Sequence, residues 1–84
     1  MNKVTVLGAG AWGTTMAQVL ADCGNDVLLW GRSTELVNEI NNSHTNKKYL
    51  GEHVLPSQLK ATDQISQAFN HSSIIVLAIP AQSL

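Results

Sequence analysis

The sequence is poor in cysteine and in charge, and both shortages narrow the kinds of protein it can be. A single cysteine among 84 residues cannot form an internal disulfide framework. Charged residues make up only 13% of the chain and the formal net charge is -1. These values exclude the basic surface typical of a nucleic-acid-binding domain and the dense charge of a disordered acidic tail. We therefore expect a small molecule as the partner.

Long apolar runs and a signal peptide are also missing. No apolar run approaches the roughly 18–20 residues that a membrane-spanning helix needs, and Met1-Asn2-Lys3 leads directly into a strand pattern. We expect a cytoplasmic protein. The length provides one small domain or part of one, and no repeat, low-complexity tract or linker divides residues 1–84.

Short apolar runs predict four strands: three strong ones that are apolar on both sides and a weak third one at residues 59–62. They cover residues 4–7, 27–30, 59–62 and 73–79. The pattern between them predicts three helices: residues 10–23, a helix capped by Ser33 or Thr34 that frays near residues 41–42, and residues 63–69 with Asp63 as the cap. Residues 43–58 show neither period and predict a long loop, docked through Tyr49, Leu50, Val54 and Leu55.

The first two helices each carry an apolar face that predicts packing on a sheet. In the first helix the face consists of Gly13, Met16, Ala17, Leu20 and Cys23, and Gly24 ends the helix. We interpret Cys23 as an unreactive, small apolar residue on that face. In the second helix the buried stripe consists of Leu36, Val37 and Ile40.

Alternating strands and helices predict an α/β fold with a parallel sheet, because parallel neighbours require crossover connections. If strand four returns beside strand one, the order is 3-2-1-4, the first part of a doubly wound sheet with a cleft where the order reverses. The first two helices then cover one face and only the third covers the other. We therefore predict an excised part of a larger protein, with an apolar patch that makes the isolated chain associate or unfold.

A glycine-rich motif, G-x-G-x-x-G, lies where the first strand meets the first helix. Its glycines are Gly8, Gly10 and Gly13. They permit the tight turn, the approach of a pyrophosphate to the backbone and close helix–strand packing, respectively. The helix N-terminus holds a diphosphate without a lysine. The alternative is an ordinary strand-to-helix turn, but the position between strand and helix favours a dinucleotide site.

The end of the second strand bears on the choice of cofactor. A domain that prefers NAD usually has Asp or Glu roughly 20 residues after the glycines, and none is present here. Arg32 and Ser33 stand there instead and can hold a 2′-phosphate, which favours NADP. The alternative is a solvated Arg32 that stacks on adenine and serves either cofactor.

Other residues that could carry chemistry have ordinary interpretations beside the functional ones. Trp12 is either a core aromatic residue or part of the floor or lip of the pyrophosphate site. His44, His53 and His71 lack the convergent third or fourth ligand of a zinc site, so we interpret them as surface residues and expect no metal. No nucleophile has a companion base, so hydrolase functions have no support.

The motifs together resemble the bacterial NAD(P)-dependent glycerol-3-phosphate dehydrogenase family over nearly the whole chain. Gly8 to Thr14 are similar to the family's G-A-G-x-[WY]-G-T, and residues 27–32 to its second strand and ribose end. More specific are Asn46 with Tyr49-Leu50, then Leu55-Pro56, then residues 59–63. Residues 75–82 are similar to the apolar strand that ends in P-[SA]-Q.

This resemblance implies a Rossmann-type domain and reversible hydride transfer between NAD(P)H and dihydroxyacetone phosphate, which makes sn-glycerol 3-phosphate for phospholipid synthesis. Carried over by position, the cofactor-binding residues are Gly8, Gly10, Ala11, Trp12, Gly13, Arg32, Ser33 and Tyr49, and Pro80-Ala81-Gln82 lie near the nicotinamide. Ala11 stands where many members have Ser, and Ser33 where some have a second basic residue or histidine. In the family the catalytic lysines follow the segment that ends at Leu84, so no catalytic residue is assigned, and Lys47 and Lys48 are interpreted as solvated charges.

Two kinds of function therefore remain open. One is the cofactor-binding part of such a dehydrogenase, inactive by itself, with a homodimer as one option for the complete enzyme. The other is a non-catalytic module that binds or senses a dinucleotide. The N-terminal part of another NADP-dependent reductase is a further alternative among the enzymes.

Overall fold

The computed structural model describes residues 2–78, and these residues form a parallel sheet with helices between the strands. The strands are β1 (Lys3–Leu7), β2 (Asp26–Trp30), β3 (Lys60–Thr62) and β4 (Ile75–Leu77), and the helices are α1 (Ala11–Asp22), α2 (Thr34–Ser43), α3 (Lys47–Leu50) and α4 (Ile65–His71). In these residues no helix has the length and apolar character needed to cross a membrane. Ile79, the predicted end of strand four, and Pro80-Ala81-Gln82 lie outside the described residues.

The strands are ordered β3-β2-β1-β4, and every neighbouring pair is parallel. This order confirms the predicted topology. The chain builds outward from β1 to β3 and then crosses back to place β4 on the other side of β1. The strand order therefore reverses beside β1, and such a reversal opens a crevice at the carboxyl ends of the neighbouring strands β1 and β4.

The two faces of the sheet are covered unequally. Val6 and Leu29 are paired in register and belong to the buried core that includes Ala17 of α1 and Ile40 of α2. On the opposite face Thr5 donates its hydroxyl hydrogen to the Ala68 carbonyl of α4 over 2.8 Å. Within residues 2–78, α1 and α2 thus lie on one face and α4 on the other, as the sequence predicts.

The buried face of α1 differs from the predicted one. Its buried residues are Gly13, Thr14, Ala17 and Ala21. Met16 and Leu20 are only half-buried and Cys23 is exposed, so the prediction that Cys23 lies on the apolar face is wrong. The helix turns its smallest side chains toward the sheet, because these allow its backbone to approach β1 and β2 closely. Gly24 ends the helix in the left-handed region, with φ +91°, as predicted.

The start of α4 also differs from the prediction. Asp63 does not cap this helix: the N-cap residue is Gln64, and it makes no side-chain capping bond. The Asp63 carboxylate instead accepts a hydrogen bond from the Thr34 hydroxyl over 2.6 Å. That bond, together with one from the Gln64 side chain, holds the pKa of Asp63 below its ordinary value. Asp63 therefore connects the end of β3 to the start of α2.

The segment 43–58 is docked, but it is not a continuous loop. It contains α3 and an isolated antiparallel bridge between Thr45 and Val54. Leu55 is buried and Leu50 half-buried, whereas the Val54 side chain is 69% exposed and does not dock. Helix α3 is only four residues long. A helix this short shows no periodic pattern of apolar residues, so the sequence did not predict it.

The histidines are less uniform than predicted. His53 is exposed, but His44 and His71 are half-buried. His44 ends α2 with φ 57°, and the His71 ring nitrogen Nε2 lies 2.9 Å from the Asp26 carbonyl oxygen. Among residues 2–78 no group of three or more His, Cys, Asp or Glu side chains is arranged to hold a metal ion.

Candidate functional site

The turn between β1 and α1 places a helix N-terminus at the crevice. Gly8 has φ +115°, a conformation that favours glycine, and its N–H donates to the Trp30 carbonyl over 2.9 Å. The first bond within α1 runs from the Thr14 N–H to the Gly10 carbonyl over 3.0 Å. No side chain caps α1 and its first turn holds no acidic residue. Backbone N–H groups and the positive end of the helix dipole are therefore available to an anion.

The glycines of this turn have different surroundings. A Cβ atom added to Gly10 would meet nothing within 4 Å, whereas one added to Gly13 would lie 1.6 Å from the Gly8 carbonyl oxygen. One added to Gly31, just after β2, would lie 2.8 Å from the Ala9 Cβ. Gly13 and Gly31 are therefore needed for packing. Gly10 faces open space, so its missing side chain leaves room for a ligand.

A cavity of about 410 Å³ opens in front of this turn. It is formed by the turn, the end of β2, one residue of α3 and the residue that follows β4. The lining residues are Gly8, Ala9, Gly10, Ala11, Trp12, Trp30, Gly31, Arg32, Tyr49 and Ala78. Its size and mostly apolar lining are typical of a small-molecule site.

Trp12 and Arg32 both line the cavity. Trp12 is 63% exposed, which excludes the core interpretation and agrees with a place at the lip. Arg32 is exposed and is the only charged residue among the described residues of the lining. Within residues 2–78 no carboxylate pairs with its guanidinium. The site therefore combines a helix N-terminus with a free cation, which suits an anionic ligand.

Ser33 lies beside this cavity rather than in its lining. Its hydroxyl oxygen accepts a hydrogen bond from the Leu36 N–H over 3.2 Å and so caps α2. Ser33 lines a neighbouring cavity of about 280 Å³ together with Glu35, Leu36, Glu39, Lys48 and Tyr49. The Lys48 Nζ lies 5.3 Å from the centre of the Tyr49 ring. Tyr49 thus forms the wall between the two cavities.

Two polar residues, Asn46 and Glu39, hold the segment that carries Tyr49. Neither was predicted from the sequence to have a role in the site. Asn46 is fully buried, and its side-chain amide donates to the Thr14 hydroxyl over 2.9 Å and to the Ala9 carbonyl over 3.2 Å. Glu39 accepts hydrogen bonds from the Thr45 hydroxyl over 2.7 Å and from the Lys47 N–H over 2.8 Å, and these bonds lower its pKa. The only signal for Asn46 in the sequence is its fixed spacing before Tyr49-Leu50.

The comparison with known protein families agrees with this architecture. Residues 3–84 match the family described as the N-terminus of NAD-dependent glycerol-3-phosphate dehydrogenase. The chain belongs to this family. A curated relative from Lysinibacillus sphaericus, named glycerol-3-phosphate dehydrogenase [NAD(P)+], is 51% identical over 84 residues, which are 100% of this chain and 25% of the relative. One of the same name from Corynebacterium jeikeium is 46% identical over the same coverage.

Solved structures of glycerol-3-phosphate dehydrogenases share the fold. The Saccharomyces cerevisiae structure has a TM-score of 0.85 and 36% identity over 95% of this chain and 26% of that one. The Coxiella burnetii structure has a TM-score of 0.81 and 33% identity over 89% of this chain and 23% of that one. This chain therefore corresponds to the Rossmann-type N-terminal part of the family, and it spans about a quarter of the length of the curated relatives it matches.

The fold brings most of the predicted cofactor-binding residues of the family together. Six of them line the cavity: Gly8, Gly10, Ala11, Trp12, Arg32 and Tyr49. Gly13 packs against the turn, and Ser33 caps α2 beside it. Lys47 and Lys48 are exposed and outside the cavity lining.

Proposed function

We propose that this chain binds a nicotinamide dinucleotide at the crevice. We further propose that it works as the cofactor-binding part of an oxidoreductase that interconverts dihydroxyacetone phosphate and sn-glycerol 3-phosphate. The observation that carries the proposal is the uncapped N-terminus of α1 beside Gly10, which faces open space in the cavity. The names of the curated relatives support the same cofactor and substrate.

The residues of the cavity fit the parts of a dinucleotide. The N–H groups at the start of α1 hold the pyrophosphate, and the absent side chain at Gly10 allows its close approach. Trp12 shapes the lip on one side. Arg32 follows β2 by two residues and Tyr49 belongs to α3, and we assign the contacts with the adenosine half to this guanidinium and this ring.

When bound, the nicotinamide ring supplies or accepts the hydride. The contribution of this chain is to hold and orient the dinucleotide, and its apolar lining excludes water from the bound molecule. Protonation of the carbonyl oxygen and binding of the substrate phosphate require basic groups, and we assign neither role to a residue of this chain. We therefore expect no turnover by the 84 residues alone.

NADP is the cofactor we favour. Arg32 is the charge closest in sequence to the end of β2, and no acidic residue lines the cavity to repel a 2′-phosphate. Ser33 uses its hydroxyl oxygen as an acceptor for the cap of α2, but its hydroxyl hydrogen remains able to donate to a phosphate. The cytoplasmic location, the role in phospholipid synthesis and a homodimer of the complete enzyme stay predictions.

The test uses two proteins: this chain and a version extended past Leu84. NADPH is titrated into both while the backbone amide resonances of Gly10 to Gly13 are followed, and NADPH oxidation by dihydroxyacetone phosphate is then assayed. We expect the amide resonances to move in both proteins and turnover in the extended protein alone. Unmoved resonances in a folded sample would refute dinucleotide binding. Binding without turnover in the extended protein would favour a non-catalytic module or a reductase with another substrate.

A further inference from the structure

We propose that Asn46 is a positioning residue for the dinucleotide site: its side chain holds the phosphate-binding turn at a fixed distance from the segment that carries Tyr49. This inference rests on the proposed function, because it concerns how the dinucleotide site is held in place. Asn46 itself lies outside the cavity lining. Asn46 is 0% exposed and has no access to a ligand. Any effect on binding must therefore act through its neighbours.

The side chain of Asn46 is bonded to the turn. Its Nδ2 donates to the Thr14 hydroxyl over 2.9 Å and to the Ala9 carbonyl over 3.2 Å, and the same Thr14 hydroxyl donates to the same Ala9 carbonyl over 3.2 Å. A backbone carbonyl can only accept hydrogen bonds, so the amide nitrogen must face Ala9. Ala9 lies between Gly8 and Gly10 and lines the cavity. The cluster therefore fixes the middle of the phosphate-binding turn.

The main chain of Asn46 is bonded to the opposite wall of the site. Its carbonyl accepts from the Tyr49 N–H over 3.2 Å and from the Leu50 N–H over 2.8 Å, and these bonds form the single turn of α3. One residue thus contacts the phosphate-binding turn through its side chain and supports Tyr49 through its backbone. A helix of four residues is not stable by itself, so the position of Tyr49 depends on the bonds of Asn46 together with those of Glu39 to Thr45 and Lys47.

The buried oxygen of Asn46 argues against a purely structural role. Within residues 2–78 its Oδ1 is buried and has no donor, a state that opposes folding. A leucine has the same number of side-chain non-hydrogen atoms, branches at the same position and would leave no unpaired acceptor. The Ala9 carbonyl would keep its bond from Thr14. The two bonds that Nδ2 donates and the unpaired Oδ1 act against each other in the free energy of folding, so stability by itself does not require an asparagine here, whereas a fixed distance between the turn and Tyr49 does.

The test compares three variants in the protein extended past Leu84: Asn46→Leu, Asn46→Asp and, as the control, Asn42→Asp at an exposed position of α2. For Asn46→Leu we expect an unfolding midpoint equal to or above that of the unchanged protein. We expect its KM for NADPH to rise about tenfold, with kcat nearly unchanged, because a displaced turn or Tyr49 would lose about one good hydrogen bond to the cofactor. Asn46→Asp places a carboxylate against the Ala9 carbonyl and should raise the KM further. The control should change neither value.

A double-mutant cycle with Tyr49→Ala separates positioning from general damage. If Asn46 acts by holding the turn relative to Tyr49, Asn46→Leu should weaken NADPH binding less in the Tyr49→Ala protein than in the unchanged one. Additive effects would overturn the inference. NADPH binding by both Asn46 variants within about twofold of the unchanged protein would also overturn it, since a displaced turn or Tyr49 should cost about tenfold, the value of one good hydrogen bond to the cofactor. If Asn46→Leu does not fold, the inference is tested with Asn46→Asp instead, through its KM for NADPH and its double-mutant cycle with Tyr49→Ala. Failure of the unchanged protein to bind NADPH would instead refute the proposed function.

Discussion

Two glycines of the turn between β1 and α1 differ in what a side chain at their position would meet. Gly10 has φ -73° and ψ -168°, which any residue can adopt, and a Cβ there would meet nothing within 4 Å. At Gly13 a Cβ would lie 1.6 Å from the Gly8 carbonyl oxygen, which is part of the rigid backbone of the turn. Replacement by alanine should therefore affect ligand binding at Gly10 and folding at Gly13.

We predict that Gly10→Ala leaves the free energy of unfolding within about 1 kcal/mol of the value for the unchanged protein. It should weaken NADPH binding at least about tenfold, because the methyl group would occupy the place of the pyrophosphate. Gly13→Ala should lower the free energy of unfolding by about 3 kcal/mol or more. Urea unfolding and NADPH titration of both variants provide the measurements. Equal effects of the two substitutions on both quantities would contradict this division of roles.

Arg32 is the residue to which we attribute the proposed preference for NADP. It is exposed, lines the cavity and has no carboxylate partner within residues 2–78. We predict that Arg32→Asp weakens NADPH binding about tenfold to a hundredfold more than NADH binding, since a bond to a charged group is lost and a repulsion to the 2′-phosphate is added. Titrations with the two cofactors measure this ratio.

Lys60→Asp is the matched control for the Arg32 prediction. Lys60 is exposed at the start of β3 and lies outside the cavity lining, and its replacement changes the net charge by the same amount. It should weaken binding of the two cofactors little and equally. Equal losses for NADPH and NADH in Arg32→Asp would mean that Arg32 stacks on adenine and serves either cofactor.

At the scale of elements, the short helix α3 is held between α2 and the phosphate-binding turn. Asn46 connects it to the turn, and Glu39 of α2 accepts hydrogen bonds from Thr45 and from the Lys47 N–H. The bonds from Thr45 and Lys47 place the pKa of Glu39 below its ordinary value of 4.5. Because the pKa is lower in the folded state, this contribution to stability is present above pH 4.5 and is lost as the pH falls through the folded-state pKa.

We predict that Glu39→Gln lowers the free energy of unfolding at neutral pH and reduces its loss on acidification. The neutral amide cannot gain a proton, so one source of the pH dependence disappears. Chemical unfolding of the unchanged protein and the variant, from neutral pH to below pH 4.5, measures the difference. Glu52→Gln, at an exposed position, is the control and should keep the full pH dependence. Parallel pH profiles for all three proteins would show that Glu39 does not hold α3.

At the scale of the whole molecule, the face of the sheet that carries α4 leaves apolar side chains exposed. Ile75 and Leu77 of β4 are in register with Thr5 and Leu7 and so point to this face, where α4 covers β1, β2 and β3. Phe69 of α4 is 53% exposed and Leu77 is 58% exposed. Ile65, Phe69, Ile75 and Leu77 form what we name the α4-side patch.

We predict that the 84-residue chain self-associates through the α4-side patch. Phe69→Gln combined with Leu77→Thr should shift the chain toward the monomer, because both substitutions remove apolar area from the contact. Light scattering over a range of protein concentrations measures this shift. Val54→Thr removes an exposed apolar residue outside the patch and should leave the association unchanged. A monomeric, cooperatively unfolding chain without substitutions would refute the prediction.

Much of the fold could be predicted from local patterns. The runs at Val4 to Leu7 and Val27 to Trp30 are too short and too apolar for surface helices, and each ends at a glycine. These features were enough to predict β1 and β2. The order 3-2-1-4 could be predicted only on the condition that strand four returns beside strand one, and the structure meets this condition. The predictions failed where a single turn or a side-chain contact decided the structure, as at α3, Asp63 and Cys23.

The sequence by itself determined the α/β class and the position of the glycine-rich turn between β1 and α1, because apolar runs and glycine spacing are local properties of the chain. Other cavity residues, Ala11 and Tyr49, were expected only through the resemblance to a family. Only the tertiary structure decided which face of α1 is buried, that Ser33 caps α2, and that Asn46 joins the turn to Tyr49. Those features depend on contacts between residues far apart in the chain. The bond between Asn46 and Thr14 spans 32 positions, and no pattern within a few residues of either one specifies that they meet.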